Sequence, residues 1–318
     1  MSVAVSAASF DNRSMTRINR AHSCLLGCHL SIGKGFPAAI DEAEALGNNA
    51  LQIFTHNVSA WRMKPITDDR AAEFIARRAS SRIEFAVAHS MYLLNLASPD
   101  DSLFERSVAA LAEEVRRAGV LGLDAVVTHL GAHVGSGLDR GIDRIVDGLG
   151  RLRASGAFAD APGVRLLLEN TAGSGTTVGG RFDELSAILS RVGEEDRFGV
   201  CFDTAHAFAA GYDLRTESAV RATLDAFARS IGVDRLGLIH LNDSKYACAS
   251  RRDRHEHIGL GGIGREGLGA FVRHSSVRGV PLVLETPKTL DGRDDADRMN
   301  LATVRLLLSE PGRQEEAS

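Results

Sequence analysis

Short, almost uninterrupted apolar runs alternate along this chain with longer segments in which apolar residues recur every three or four positions. The runs have the length of strands, and their lack of strict alternation is typical of strands that helices cover on both faces. The longer segments have the period of amphipathic helices. The pattern therefore predicts alternating strands and helices around a parallel sheet.

Eight strand and helix pairs can be placed in this way. The predicted strands are CLLGCHLS, ALQIFTHN, EFAVAHS, AVVTHLG, VRLLLENT, FGVCFDTAH, LGLIHLND and PLVLETP. The predicted helices span residues 37–46, 69–79, 103–118, 139–153, 182–191, 217–230, 266–274 and 294–308. Eight such units predict an α/β protein with one closed TIM (β/α)8 barrel. An open doubly wound sheet is the alternative, but no Gly-x-Gly-x-x-Gly motif follows the first strand.

The barrel is predicted to span residues 22–308. Residues 1–21 and 309–318 lack sustained periodicity and are predicted to be flexible tails. No apolar run approaches the roughly 18 residues of a membrane span, and the amino terminus lacks the segment order of a secretion signal. We therefore expect no membrane association and a cytoplasmic location.

Composition limits the possible partners. The chain has 318 residues, of which 44% are hydrophobic and 25% charged, and its net charge is −4, which speaks against a nucleic-acid binder as a whole. Basic residues do cluster locally. They are Arg62 and Lys64 in one loop, and Lys245, Arg251, Arg252 and Arg254 in another. The clusters either bind a polyanion or are ordinary solvated charges.

Histidine and carboxylate side chains stand at the ends of six consecutive predicted strands. They are His89, His129, Glu169, Asp203 with His206, His240, and Glu285. The carboxyl ends of the strands form the active-site face of a TIM barrel, so these side chains are expected to converge. A lone histidine would be ordinary, but six aligned positions predict a metal site. Imidazole and carboxylate are ligands for zinc, and the same ligands also bind manganese.

Asp253 and His255 add a further pair in the basic loop after the seventh strand. The total of five histidines and four carboxylates is more than one four-coordinate ion can use, so several metals are expected. Three divalent ions would leave two positive charges after four carboxylates, which suits an anionic substrate. Paired metals can activate water and stabilise both oxygens of a phosphodiester displacement, so phosphoryl transfer to water is the predicted reaction class.

Longer stretches of the chain resemble a known family. These are GCHLSIGKG, LQIFTHN, AHSMYLLNLASP, THLGAH, LLLENTAGSGTTVG, GVCFDTAHAFAAGYDL, HLNDSK, DRHEHIGLGGIG and PLVLETP. In order and spacing, from about Gly27 to Pro287, they resemble the endonuclease IV family of abasic-site endonucleases. The resemblance implies three zinc ions. They would be held by His89, His129 and Glu169; by Glu169, Asp203, His240 and Glu285; and by His206, Asp253 and His255.

The same resemblance implies an activity. It is that of deoxyribonuclease IV (phage T4-induced type), a zinc-dependent hydrolase of base excision DNA repair. Such an enzyme cuts the phosphodiester 5′ to an abasic site and leaves a 3′-hydroxyl, and many relatives also trim blocked 3′ ends. Glu169 and Glu285 would be the catalytic carboxylates. Double-stranded DNA with abasic sites would be the partner, no obligate protein partner is expected, and we expect a monomer.

Tyr92 and Leu93 match the family position whose loop enters the minor groove beside the lesion. The alternative is that both residues simply pack in the barrel rim. Arg62, Lys245 and Arg254 are further predicted DNA contacts. Family members often place a basic residue where Ser59 stands, so this chain departs from the family pattern in that loop.

Two other functions stay open at this point. A metal-dependent sugar-phosphate isomerase or epimerase of the xylose isomerase-like type would share the barrel and the rim carboxylates. A non-catalytic module that recognises damaged DNA is the second alternative. The discriminating feature is the Asp253 and His255 pair with its basic loop, which a free sugar would not need. His133 and His257 are predicted to orient metal ligands, whereas His56 is predicted to be an ordinary residue.

Overall fold

The computed structural model describes residues 24–193 and 196–310. The predicted amino-terminal tail, residues 1–21, lies outside the described residues. So do residues 311–318 of the predicted carboxyl-terminal tail. No helix in the described part combines the length and the apolar character that a membrane crossing needs.

Eight parallel strands close into a barrel, and two short strands form a separate antiparallel pair. The strands are β1 (Leu26–Leu30), β2 (Ala50–Ile53), β3 (Phe85–His89), β4 (Ala125–Thr128), β5 (Arg165–Glu169), β6 (Phe198–Asp203), β7 (Leu236–His240), β8 (Asp243–Ser244), β9 (His255–Glu256) and β10 (Leu282–Leu284). Around the barrel the order is β1-β10-β7-β6-β5-β4-β3-β2, so each strand lies beside its neighbours in the chain once β8 and β9 are set aside. The predicted TIM barrel is confirmed.

Helices surround this barrel. They are α1 (Phe36–Ala45), α2 (Asp68–Ala79), α3 (Asp101–Val120), α4 (Leu138–Ala154), α5 (Ala157–Asp160), α6 (Phe182–Val192), α7 (Thr204–Ala210), α8 (Glu217–Ser230), α9 (Gly264–Arg273) and α10 (Ala296–Ser309). All eight predicted helices are present, with ends that differ by at most two residues. The short helices α5 and α7 and the β8–β9 pair were not predicted.

The prediction that the sixth strand continues to His206 is wrong. Strand β6 ends at Asp203, and helix α7 begins at the next residue. The Asp203 side chain caps this helix because it accepts a hydrogen bond of 2.7 Å from the main-chain N–H of His206. His206 therefore lies in the first turn of a helix above the barrel mouth, and not in the strand.

The barrel lumen has a separate apolar layer below its mouth. This layer consists of Val87, Ala125, Val127, Leu167, Cys201, Leu238 and Val283. A much larger apolar core fills the space between the strands and the helices. The lumen layer closes the floor of the barrel mouth, so a site inside the lumen has to lie above it, at the carboxyl ends of the strands.

Candidate metal centre

The predicted ligands lie directly above the apolar layer of the lumen. Successive side chains of a strand point to opposite faces, so residues two apart face the same way. On six strands an apolar lumen residue is followed two positions later by a histidine or a carboxylate. The pairs are Val87 and His89, Val127 and His129, Leu167 and Glu169, Cys201 and Asp203, Leu238 and His240, and Val283 and Glu285.

The first group of donors consists of His89, His129 and Glu169, whose ligand atoms all lie within 4.8 Å of one another. The Nε2 atoms of His89 and of His129 are each 3.2 Å from Glu169 Oε2. Glu169 is fully buried at the end of β5, between the two neighbouring strands. One carboxylate oxygen therefore faces two imidazoles.

The second group consists of Glu169, Asp203, His240 and Glu285, again within 4.8 Å. His240 Nδ1 lies 3.0 Å from Glu169 Oε1, 3.1 Å from Glu285 Oε2 and 4.0 Å from Asp203 Oδ2. Glu169 thus presents one oxygen to each of the first two groups. This arrangement suits a carboxylate that bridges two cations.

The third group consists of Asp203, His206 and His255. The resemblance assigned Asp253 to this place, and Asp253 lies beside the group. Its Oδ1 atom is 3.1 Å from His206 Nε2 and 3.7 Å from His255 Nε2. Eight of the nine predicted ligands thus fall within the three groups, and the ninth contacts the third.

The hydrogen bonds of the histidines leave their Nε2 atoms available for a proton or a cation. The Nδ1 atoms of His89, His206 and His255 face the main-chain carbonyls of Ser90, Asn170 and Glu285, at 2.7, 3.0 and 3.0 Å. Each Nδ1 therefore carries the hydrogen, and each Nε2 directs its lone pair at a carboxylate. The Nε2 atom of His255 is buried without a hydrogen-bond partner.

Two acceptors that face each other repel unless a proton or a cation lies between them. At 3.2 Å between His89 Nε2 and Glu169 Oε2, either can occupy the gap. The donor set of imidazoles and carboxylates is the one that zinc prefers in the absence of thiolates. The side chains present therefore fit zinc ions in all three groups.

Electrostatics in the metal-free site follow from the same contacts. Burial would raise the pKa of Glu169, but the charges of His129 and His240 outweigh it and hold that pKa well below its ordinary value. Burial likewise opposes ionisation of Glu285, yet the His240 charge lowers its pKa to about 2. The pKa of His206 is raised well above its usual value, because the Asp203 charge outweighs burial. Without metal, protons take the place of the cations.

A cavity of about 660 Å3 opens above the three groups, and members of every group line it. Tyr92 and Leu93 also line this cavity, and their exposed fractions are 64% and 37%. Lys245 and Arg254 are exposed at the two ends of the loop between β8 and β9, and a main-chain hydrogen bond of 3.0 Å joins them. Arg62 is exposed on the loop after β2.

Comparison with known proteins places the chain among relatives. A family described as "Xylose isomerase-like TIM barrel" matches residues 40–302. The "Probable endonuclease 4" of Cenarchaeum symbiosum (strain A) is 44% identical over 283 residues, which cover 87% of this chain and 98% of that protein. The chain belongs to the endonuclease IV family.

Solved structures agree with this membership. The crystal structure of endonuclease IV from Thermus thermophilus matches with a TM-score of 0.77 and 38% identity, covering 90% of this chain and 99% of that one. A D-psicose 3-epimerase matches with a TM-score of 0.67 at 16% identity over 90% of this chain and 99% of that one, which shows the shared fold alone. The sugar-isomerase alternative therefore keeps only its likeness of fold, and relatives named as endonucleases speak against a non-catalytic module.

Two asparagines of this endonuclease IV family member hold the candidate ligand Asp203 in place. Asn170 accepts a hydrogen bond from the Asp203 main chain, and Asn242 donates one of 2.7 Å to the Asp203 carboxylate. The recorded ring contacts of the two predicted orienting histidines are with other residues. His133 accepts a hydrogen bond from the Gly137 main chain in its own loop, and His257 bonds to the Asn300 side chain on α10.

Asp243 is a residue that the sequence analysis missed. Its buried carboxylate accepts hydrogen bonds from the main-chain N–H groups of Gly259, Gly261 and Ile263, at 3.0, 3.0 and 2.9 Å. Burial raises its pKa, against the lowering effect of these donors. Asp243 thereby anchors the loop that follows β9, next to His255. Its only sequence signal is its place between a ligand and a basic residue in HLNDSK.

Glu114 is a second such residue. Its buried carboxylate accepts hydrogen bonds of 2.8 Å from both Thr55 Oγ1 and His56 Nε2, and one of 3.1 Å from the Met91 main chain. It ties the loop after β2 to the loop that carries Tyr92. His56 is therefore part of a buried network that joins two loops at the mouth.

Proposed function

We propose that the chain is a zinc-dependent abasic-site endonuclease of base excision DNA repair. It hydrolyses the phosphodiester on the 5′ side of an abasic nucleotide and leaves a 3′-hydroxyl. The observation that carries the proposal is the convergence of three donor groups under one open cavity. Family membership supports the endonuclease activity itself.

The proposed ligand sets are those implied by the resemblance. His89, His129 and Glu169 would hold one zinc ion. A second would be held by Glu169, Asp203, His240 and Glu285, and a third by His206, Asp253 and His255. Bound zinc supplies Lewis-acid activation of water near neutral pH and stabilises charge on phosphate oxygens.

The two proposed catalytic carboxylates differ in access. Glu169 is fully buried and faces two donor groups with its two oxygens, so it fixes the spacing of those groups. The side chain of Glu285 is 15% exposed and lines the cavity. Glu285 is therefore the carboxylate that can contact the attacking water and accept its proton at a carboxylate oxygen.

The rim of the cavity suits damaged DNA. Tyr92 and Leu93 are exposed apolar side chains beside the metal groups, and a wedge of this kind unstacks a step that the missing base has weakened. Lys245 and Arg254 on one loop, and Arg62 on another, would contact the phosphate backbone. A monomeric state and a cytoplasmic location stay predictions.

The test combines a metal count with a nicking assay. The purified protein is analysed for metal per chain and then incubated with duplex DNA that carries one abasic analogue, with and without chelator. We expect three zinc ions, a nick 5′ of the lesion, and loss of nicking with chelator. Glu285→Ala and Glu169→Ala should abolish the nick, whereas the exposed helix variant Glu73→Ala should keep it. Intact nicking by either site variant would refute the catalytic assignment.

A further inference from the structure

Each of the eight barrel strands, or the residue directly after it, contributes one side chain near the level of the metal centre. Six of these are proposed ligands, and the remaining two are His29 on β1 and Gln52 on β2. Gln52 is fully buried and is neither a metal ligand by chemistry nor a part of the apolar core. Its burial at this place calls for hydrogen-bond partners.

Gln52 contacts three polar side chains at once. Its Nε2 atom is 2.6 Å from Glu285 Oε1 and 2.9 Å from His29 Nδ1, and its Oε1 atom is 2.8 Å from His240 Nε2. A carboxylate only accepts hydrogen bonds, so the amide nitrogen has to face Glu285. The amide oxygen then faces His240, whose Nε2 must carry the hydrogen and donate.

In the neutral imidazole, the form that binds metal, this contact fixes which nitrogen of His240 is free. With the hydrogen on Nε2, the lone pair is on Nδ1, which lies 3.0 Å from Glu169 Oε1 and 3.1 Å from Glu285 Oε2. His240 therefore directs Nδ1 at the second donor group, whereas His89, His206 and His255 direct Nε2 at theirs.

The difference lies in what holds each ring. The Nδ1 atoms of His89, His206 and His255 bond to main-chain carbonyls, which any sequence provides. The His240 ring depends instead on Gln52, a side chain of β2, which β10 and β1 separate from β7 in the barrel. A change of that one side chain can alter the His240 tautomer without altering the backbone.

We propose that Gln52 is a positioning residue that sets the tautomer of His240 and holds Glu285, and thereby sets the metal affinity of the second donor group. The proposal rests on the proposed metal-dependent function. Residues that orient metal ligands typically change metal affinity by about 10–100-fold when they are removed. A leucine at position 52 would leave the His240 Nε2–H and one Glu285 oxygen without their partner.

The experiment compares Gln52→Leu and Gln52→Glu with wild type. Asn48→Leu is the matched control, since Asn48 is another fully buried amide, which bonds to Cys28 and not to a metal ligand. Zinc affinities are measured by chelator competition on the full chain. Histidine tautomers are read from long-range 1H–15N NMR spectra of the zinc-loaded protein. Neither readout requires DNA or turnover.

We expect Gln52→Leu to weaken one of the three zinc sites by about 10–100-fold and to leave the other two within about two-fold. The His240 Nε2–H signal should be lost or exchange faster with water. Gln52→Glu should keep that signal, because a carboxylate still accepts from Nε2, but it should weaken the same zinc site because it faces Glu285 without a donor. Asn48→Leu should match wild type in both readouts.

The proposal is wrong if Gln52→Leu keeps all three affinities and the His240 signal of wild type. If Gln52→Leu does not fold, Gln52→Glu decides alone, and wild-type zinc affinity in that variant would likewise overturn the proposal. Failure of the proposed function would give a different result. A wild-type protein that binds zinc but does not nick abasic DNA would contradict the nuclease assignment and leave the role of Gln52 standing.

Discussion

The barrel lumen contains two layers that the same strands build two residues apart. The lower layer is apolar, with Leu167 on β5 as an example, and the upper layer is polar, with Glu169 on the same strand. Both residues are almost completely inaccessible to solvent. Their burial is the same, and only their chemistry differs.

The lower layer is complete by itself, because apolar side chains need only one another. Removing such surface from water stabilises the fold by about 25 cal/mol per Å2. The upper layer brings carboxylates and lone pairs together, and burying such groups costs stability unless protons or cations neutralise them. We infer that the lower layer stabilises the closed barrel. The upper layer lowers the stability of the metal-free fold and thereby favours metal binding.

The largest expected effect comes from a change in the upper layer. Glu169→Gln keeps the size of the side chain but removes the charge that two donor groups share. We expect the nicking rate to fall by at least about 10^3-fold, as when a central group of a catalytic unit is removed. The zinc content should fall below three per chain. Both are measured on the same purified sample, and a variant that keeps three ions would contradict the bridging role.

The matching change in the lower layer should have the opposite profile. Leu167→Ala leaves a cavity in the floor of the barrel, and we expect the free energy of unfolding to fall by about 2–5 kcal/mol. Urea unfolding of the zinc-loaded protein measures this loss. Zinc content and nicking per folded molecule should stay near wild type. The exposed Leu260→Ala is the control, since Leu260 is 62% exposed and should lose little.

The two layers also explain what the sequence could predict. The position of Glu169 follows from a strand pattern and from the rule that active sites lie at the carboxyl ends of barrel strands, so the candidate donors at the strand ends were predictable residue by residue. Their division into three groups was implied only by the family resemblance. The role of Gln52 was not predicted, because an amide side chain does not indicate a metal site in a sequence and its three partners come from other strands.

Two other features, helix α7 and the role of Asp243, were not predicted, for different reasons. Helix α7 was missed because apolar residues resume at Ala205, directly after Asp203 and Thr204, and the capping role of Asp203, which marks the boundary, is a contact that the pattern does not show. The role of Asp243 depends on main-chain N–H groups that lie 16 or more positions away in the chain. Contacts between distant main-chain atoms leave no trace in local composition.

The pH dependence of stability should differ between the metal-free and the zinc-loaded protein. The pKa of Glu285 falls from 4.5 to about 2, so its contribution is present above pH 4.5 and is lost as the pH falls toward 2. The pKa values of His206 and His240 are raised well above 6.5, so their contribution is present below pH 6.5 and is lost as the pH rises. The metal-free protein should be most stable between about pH 4.5 and 6.5.

Zinc should reverse the alkaline side of this profile, because the imidazoles have to lose their protons before they bind metal. We expect the melting temperature of the metal-free protein to fall between pH 6 and pH 8 and that of the zinc-loaded protein to rise. Thermal unfolding at both pH values, with and without chelator, measures the difference. Parallel profiles for the two forms would show that the donor groups do not exchange protons for zinc.

The smallest expected effect belongs to the rim above both layers. Tyr92 is 64% exposed, so Tyr92→Ala should change the free energy of unfolding by no more than about 0.5 kcal/mol and should leave the zinc content unchanged. Because loss of an aromatic contact to nucleic acid costs about 1–3 kcal/mol, nicking at an abasic analogue should fall about ten-fold. A residue that only packs in the rim would give the reverse, with lower stability and unchanged nicking per folded molecule. Measuring both quantities on one variant therefore separates a DNA wedge from a structural tyrosine.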